Sequence, residues 1–197
     1  SRNNILNREY AKVRKLITGL SALPSIAPVR LAIRQYINAM RNELKKDINL
    51  KLKKSNISSR FESSIYRNSI GYQRVLMQEK IKNKNIFLIG KVDRWRFTQE
   101  SFSSRGMLSP FGWGEICYRD FEAVIGGAVL IKPDMSHVET WPNIFTSKSY
   151  IPLSWDLNEL DSFDINDLLI DKVYEARNIY LDALNSMDER AIKMITK

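Results

Sequence analysis

Three short apolar runs limit what this chain can fold into: "NIFLIG" (85–90), "GMLSP" (106–110) and "AVLIKP" (128–133). Each closes on glycine or proline, and helical sequence separates one from the next. Runs this short and continuously apolar suit strands buried on both faces of a parallel sheet. Strand, helix, strand, helix, strand at this spacing predicts right-handed βαβ units. "SYIPLSWD" (149–156) supplies a further short strand. Ligands of such sheets collect beyond the carboxyl ends of the strands. The polar residues that follow two of the runs, Ser109 to Glu115 and Lys132 to Glu139, therefore stand where binding is expected.

Between the strands, "RWRFTQESFSS" reads as a helix, and "GEICYRDFEAVIGG" as a second, ended by paired glycines suited to a C-cap. An acidic helix over 165–187 closes the chain, and another spans 61–82. Upstream, Leu6, Tyr10, Val13, Ile17 and Leu20 predict a helix over 5–20. Pro24 and Pro28 mark a loop. Val29, Ile33, Tyr36, Ile37, Met40 and Leu44 predict an amphipathic helix over 29–48. Its basic face (Arg30, Arg34, Arg41, Lys45) suits either packing or peripheral contact with a membrane surface. "KLKKSNISSR" (51–60) reads as a polar connector. The expected organisation is a basic helical segment, 1–60, and a Rossmann-like α/β lobe, 61–197, with helices flanking a parallel sheet. No internal repeat is present.

At 197 residues the chain can bury one sizeable core or carry one domain and an appendage. No run of 18 apolar residues exists, and the N-terminus lacks the apolar core of a signal peptide. The single cysteine, Cys117, excludes an internal disulfide and a Cys-rich zinc site. A cytoplasmic location is expected from it. Residues 1–100 hold 22 Lys and Arg against 7 Asp and Glu, whereas 101–197 hold 9 against 15. A basic half of this kind suits something anionic (nucleic acid, lipid head groups or a phosphorylated ligand), or else its Lys and Arg simply solvate exposed helix faces. No nucleic-acid-binding motif accompanies it.

The chemistry-bearing residues gather around "SPFGWGEICYRDFEAVIGG". A helix opening near 115 would aim unpaired N–H groups and its dipole at an anion. Gly112 and Gly114 would let the backbone come close to it. "GWGE" lacks the Lys-Ser/Thr pair of a phosphate-binding Walker loop and the third glycine of a dinucleotide fingerprint, which disfavours an ATPase or an NAD enzyme. If helical throughout, Glu115, Arg119 and Glu122 share one face, where a carboxylate can accept hydrogen bonds from vicinal sugar hydroxyls. His137, the only histidine, follows the run 128–133 directly; with no second His or Cys at ligand spacing, no metal is expected.

The stretch 85–156 resembles the C-terminal, nucleotide-sugar-binding lobe of GT-B-type glycosyltransferases, in the group 1 and spore-protein-like branch, with a fainter likeness to exostosins. The likeness is carried by "IFLIG", "GMLSPFGWGE", "RDFEAVIGG", "AVLIKPD", "MSHVETW" and "YIPLSWD" in that order. The resemblance implies a bacterial enzyme that transfers a sugar from a nucleotide-sugar donor to a surface-polysaccharide or lipid-linked acceptor. Glu122 would hold the donor ribose, and the loop Asp134 to Glu139 would approach the phosphates and sugar. It further implies Glu115 and His137 as catalytic groups. Donor contacts would come from Gly112, Gly114, Arg119, Glu122, Lys132, Asp134, Ser136 and Glu139. The basic strand–helix unit that grips the diphosphate in the family is not found upstream, so Lys91 and Arg94, with Arg119, are the phosphate candidates. No cofactor is expected beyond the donor. A complete enzyme of this type needs another lobe for the acceptor, so the expectation is a piece of a longer enzyme. The alternative is a non-catalytic basic module that binds nucleic acid or anionic lipid.

Overall fold

The computed structural model describes residues 27–49, 53–64 and 68–195. The helix expected over 5–20 lies outside them. The chain forms two compact units, Ser1–Asp47 and Ile48–Lys197. In the first, helix α1 (Ala27–Leu44) fulfils the amphipathic pattern, with Ile37, Met40 and Leu44 buried along one side. Pro28, expected in a loop, stands in its first turn. There the missing N–H costs nothing and the fixed φ suits the helix.

The second unit is an α/β fold. Among the described residues, five strands form one all-parallel sheet: β1 (Lys54–Ser58), β2 (Phe87–Leu88), β3 (Ser104–Leu108), β4 (Val129–Pro133) and β5 (Tyr150–Leu153). Helix α2 (Asn68–Ile81) links β1 to β2, α3 (Arg94–Ser103) links β2 to β3, and α4 (Tyr118–Gly126) links β3 to β4. The closing helix α5 spans Ile170–Ile195. The strand order is β2-β1-β3-β4-β5, a doubly wound arrangement whose direction of winding reverses between β1 and β3.

The first strand corrects the sequence reading. Lys54–Ser58, expected within a polar connector, lies inside the sheet between β2 and β3. Only Ile57 of "KSNIS" is apolar, and it is fully buried, opposite Phe87 on one side and Gly106 on the other. The sheet therefore begins before residue 61. The remaining strands follow the expected runs, and β4 ends at Pro133, opposite Leu153.

Alternation along each strand sends Ile57, Leu108, Val129, Ile131 and Leu153 into one core with Met77 and Ile81 of α2. Positions one residue out of phase, Ser58, Met107, Leu130 and Lys132, are buried too, as a sheet covered on both faces requires. Helix α4 packs Ala123 and Val124 inward and ends as its glycine pair suggests. Gly127 takes the left-handed conformation at φ 71°, and its N–H closes on Val124 O. Lys53 and Arg177 then satisfy carbonyls of the last turn. Lys53 Nζ donates to Gly126 O at 2.7 Å, and Arg177 donates to Val124 O and Ile125 O at 3.1 and 2.9 Å.

A cationic cleft at the strand carboxyl ends

The segments that leave β1 and β3 at the point of reversed winding are tied together by one buried side chain. Arg74 of α2 donates from Nε to Phe111 O and from Nη1 to Glu62 O, each at 2.6 Å. It thereby fixes the loop after β3 against the loop after β1. Beside them opens a cleft of about 480 Å³ lined by Arg60, Phe61, Glu62, Arg74, Gly90, Lys91, Val92, Arg94, Phe97 and Arg119. Gly90 turns the chain there at φ 85°, a left-handed conformation that a side chain disfavours.

Five cationic side chains against one carboxylate make the cleft strongly positive. They are not equally available to a ligand. Arg60 is engaged by Glu100, whose carboxylate takes Nε at 2.8 Å and Nη2 at 2.9 Å, and Nη1 reaches Ile89 O. Burial pushes the Glu100 carboxyl up, but Arg60 and Arg96 outweigh it and hold the group below the usual carboxylate range. Lys91 meets Glu62 at 3.4 Å in a solvated pair, the kind that water and salt weaken. Arg119 spends Nη2 on Arg60 O at 2.8 Å, while its Nε is buried without a hydrogen-bond partner. Guanidinium groups on the wall of a cationic cleft suit an oxygen-rich anion.

Glu122 lies three residues beyond Arg119 on α4 and is half-buried. Burial pushes its carboxyl up, and Arg119 and Arg94 pull the other way without prevailing. Lys91, Arg94 and Arg119, predicted from separate stretches, thus share one cleft, and Glu122 feels two of them.

Other expected residues lie elsewhere. Helix α4 starts at Tyr118 with Cys117 as its cap, so Glu115 is an exposed loop residue and does not share a helical face with Arg119 and Glu122. At the helix start, where an outside anion was expected, the chain supplies a carboxylate of its own. Asp120, in the first turn, accepts the Cys117 amide at 2.8 Å through Oδ2 and supplies an internal negative charge. Gly112 is buried and Gly114 exposed.

Lys132, expected to contact the donor, is fully buried under the loop after β3. Its Nζ lies 3.1 Å from Asp120 Oδ1, 5.2 Å from the Phe111 ring centroid and 6.0 Å from that of Phe145. Ser109 Oγ donates to the same carboxylate at 2.6 Å. Burial pushes the Asp120 carboxyl up against the pull of Lys132, and burial likewise raises the Cys117 thiol, whose Sγ lies 3.3 Å from Pro110 O.

The connection after β4 carries the rest of the expected set. Asp134 accepts from Ser136 Oγ at 2.5 Å and from Tyr150 Oη at 3.1 Å, bonds that hold its carboxyl below the usual range. His137 and Glu139 are exposed. None of the residues Lys132 to Glu139 lines the cleft.

Comparison with known protein families, with curated proteins and with solved structures finds no match to this chain.

Proposed function

We propose that the second unit is the nucleotide-sugar-binding lobe of a glycosyltransferase of the GT-B type, and that the cleft receives the donor's diphosphate. The observation that carries this reading is the convergence of Arg119, Arg94 and Lys91 on one cleft, at the carboxyl ends of the strands where winding reverses. Doubly wound sheets bind ligands at this point. Glu122, close to Arg94 and Arg119, serves the ribose hydroxyls. Its carboxylate has acceptors to offer, and a ligand diol can supply donors.

The reaction transfers a sugar to a polysaccharide or lipid-linked acceptor held by a second lobe. As the bond between sugar and diphosphate breaks, negative charge accumulates on the departing phosphate. Arginine donors already fixed in place stabilise that charge without reorganising, which lowers the barrier. Arg60, locked by Glu100, and Arg74, locked by two carbonyls, keep the surrounding loops rigid for this purpose.

A titration with UDP, GDP and CMP, followed by thermal shift, tests the reading. Stabilisation by one nucleotide above the others supports it. Uniform, steeply salt-sensitive binding of any polyanion instead favours a basic module for nucleic acid or anionic lipid.

A further inference from the structure

Among the ten described residues that line the cationic cleft, Glu62 is the one carboxylate. It stands on the segment that leaves β1, and it meets Lys91, on the loop that leaves β2, at 3.4 Å. The pair thus bridges two of the segments that form the cleft. Both side chains are well solvated, Lys91 84% and Glu62 49% exposed. Their separation exceeds the roughly 2.7–2.9 Å of a charge-assisted hydrogen bond. Solvated pairs of this kind add little to stability, so stability does not account for a carboxylate at this position. Its effect on a ligand is larger. A negative charge tethered among cations repels the anion that the cleft attracts, and it occupies an ammonium that the anion could use.

The backbone around both partners is anchored, while the two side chains remain exposed. Arg74 Nη1 donates to Glu62 O at 2.6 Å. Arg60 Nη1 donates to Ile89 O, two residues before Lys91. Asp93, two residues after Lys91, caps α3 by accepting the Arg96 amide at 3.0 Å. A change of partner therefore needs only rotamer changes in two exposed side chains, which are fast. We propose that Glu62 is a tethered competitor, which occupies Lys91 in the empty cleft and yields it to an oxygen of an incoming phosphate. A diphosphate carries more negative charge than one carboxylate and offers more acceptor oxygens, so it takes the ammonium. An anion of single charge has no such advantage, and Glu62 thereby sets a charge threshold for entry. The exchange deepens the proposed function, as regulation of the same site. It rests on that function only in taking a phosphate as the cleft's ligand.

The full chain is titrated calorimetrically with inorganic pyrophosphate and with UDP, GDP and CMP, at one fixed low ionic strength. The proteins are wild type, Glu62→Gln, Lys91→Ala and the double variant. Glu79→Gln removes a solvated carboxylate outside the cleft, paired with Lys82 at 3.6 Å, and so controls for net charge. Circular dichroism and melting temperature check the fold. Tethered competition predicts that Glu62→Gln binds pyrophosphate at least about threefold more tightly than wild type, and Lys91→Ala at least about threefold more weakly. Glu79→Gln should stay close to wild type. In the Lys91→Ala background the gain from Glu62→Gln should largely vanish, because no ammonium is left to contest. A gain of equal size with and without Lys91 overturns the exchange and leaves Glu62 a plain repulsive charge. Pyrophosphate affinity that is unchanged or lowered in Glu62→Gln overturns it too. If the exchange fails in either way while wild type binds one nucleotide above the others, the competitor is wrong and the nucleotide reading stands. If the pyrophosphate pattern holds and no nucleotide binds better than pyrophosphate, the competitor stands and the nucleotide reading falls. Pyrophosphate binding by none of these proteins overturns both.

Discussion

Lys132 Nζ lies 3.1 Å from Asp120 Oδ1, and neither side chain exposes any surface to solvent. The pair joins the end of strand β4 to the first turn of α4 beneath the loop that leaves β3. Removing one partner of such a pair leaves a buried charge uncompensated, at a cost of about 3–5 kcal/mol. Lys132→Met should therefore lower the free energy of unfolding by about that amount in urea. The double variant Lys132→Met, Asp120→Asn should lose clearly less than the two single losses added together. Additive losses would show that the two charges do not depend on each other.

Glu122 allows a proton-linked test. Its folded carboxyl lies above its ordinary value because burial disfavours the charge. Below both the unfolded and folded values the group is protonated in either state and carries no penalty. As pH rises through the unfolded value toward the folded one, ionisation favours the unfolded chain. Glu122→Gln should then match or exceed wild type in stability at neutral pH, and the difference should shrink as pH falls through the folded value. At the same time its nucleotide affinity should drop about tenfold if it holds the ribose, since a charge-assisted hydrogen bond contributes about 1.5–3 kcal/mol. Stability that falls at neutral pH would mean that Arg94 and Arg119 depend on the negative charge more than burial opposes it.

Lys53 works in the opposite sense. Burial, and then the nearby charge of Arg177, bring its ammonium down to about 8. Below that pH the lysine is charged in both states, and the folded state bears the full penalty of about 3 kcal/mol, from a shift of roughly two and a half units at 1.36 kcal/mol each. Between pH 8 and the unfolded value near 10.5 the folded state loses its proton first, so the unfolded chain binds more protons and stability rises with pH. The stability of wild type relative to Lys53→Met should climb across that window. A flat difference between the two proteins would exclude the shifted lysine.

How far the sequence could be read depended on what each residue's burial wrote into it. β3 and β4 are covered on both faces, so Gly106–Leu108 and Val129–Ile131 are continuously apolar and the parallel α/β sheet was evident from them. β1 escaped because four of its five residues are polar, although Ile57 alone anchors it between two strands. With that strand unseen, Arg60 at its carboxyl end could not be placed in the site. Lys91, Arg94 and Arg119 could, since each stands near the end of a recognisable element. Glu115 was misplaced by three residues of helix. An aspartate at 120 that caps the amide of Cys117 marked the true start, and that signal was present in the sequence. Lys132 was read as a donor contact because it follows an apolar run whose carboxyl end is where ligands collect. Its burial depends on Asp120, which is 12 positions away and close only in the fold.

The central claim is that a diphosphate lies against Arg94 and Arg119. Calorimetric titration of whichever nucleoside diphosphate binds wild type, into wild type, Arg94→Ala and Arg119→Ala, tests it directly, with the matching nucleoside as control. The account predicts at least a tenfold loss of diphosphate affinity in each variant, in keeping with about 1.5–3 kcal/mol for a hydrogen bond to a charged group, and no change for the nucleoside. Undiminished diphosphate affinity in both folded variants would contradict it.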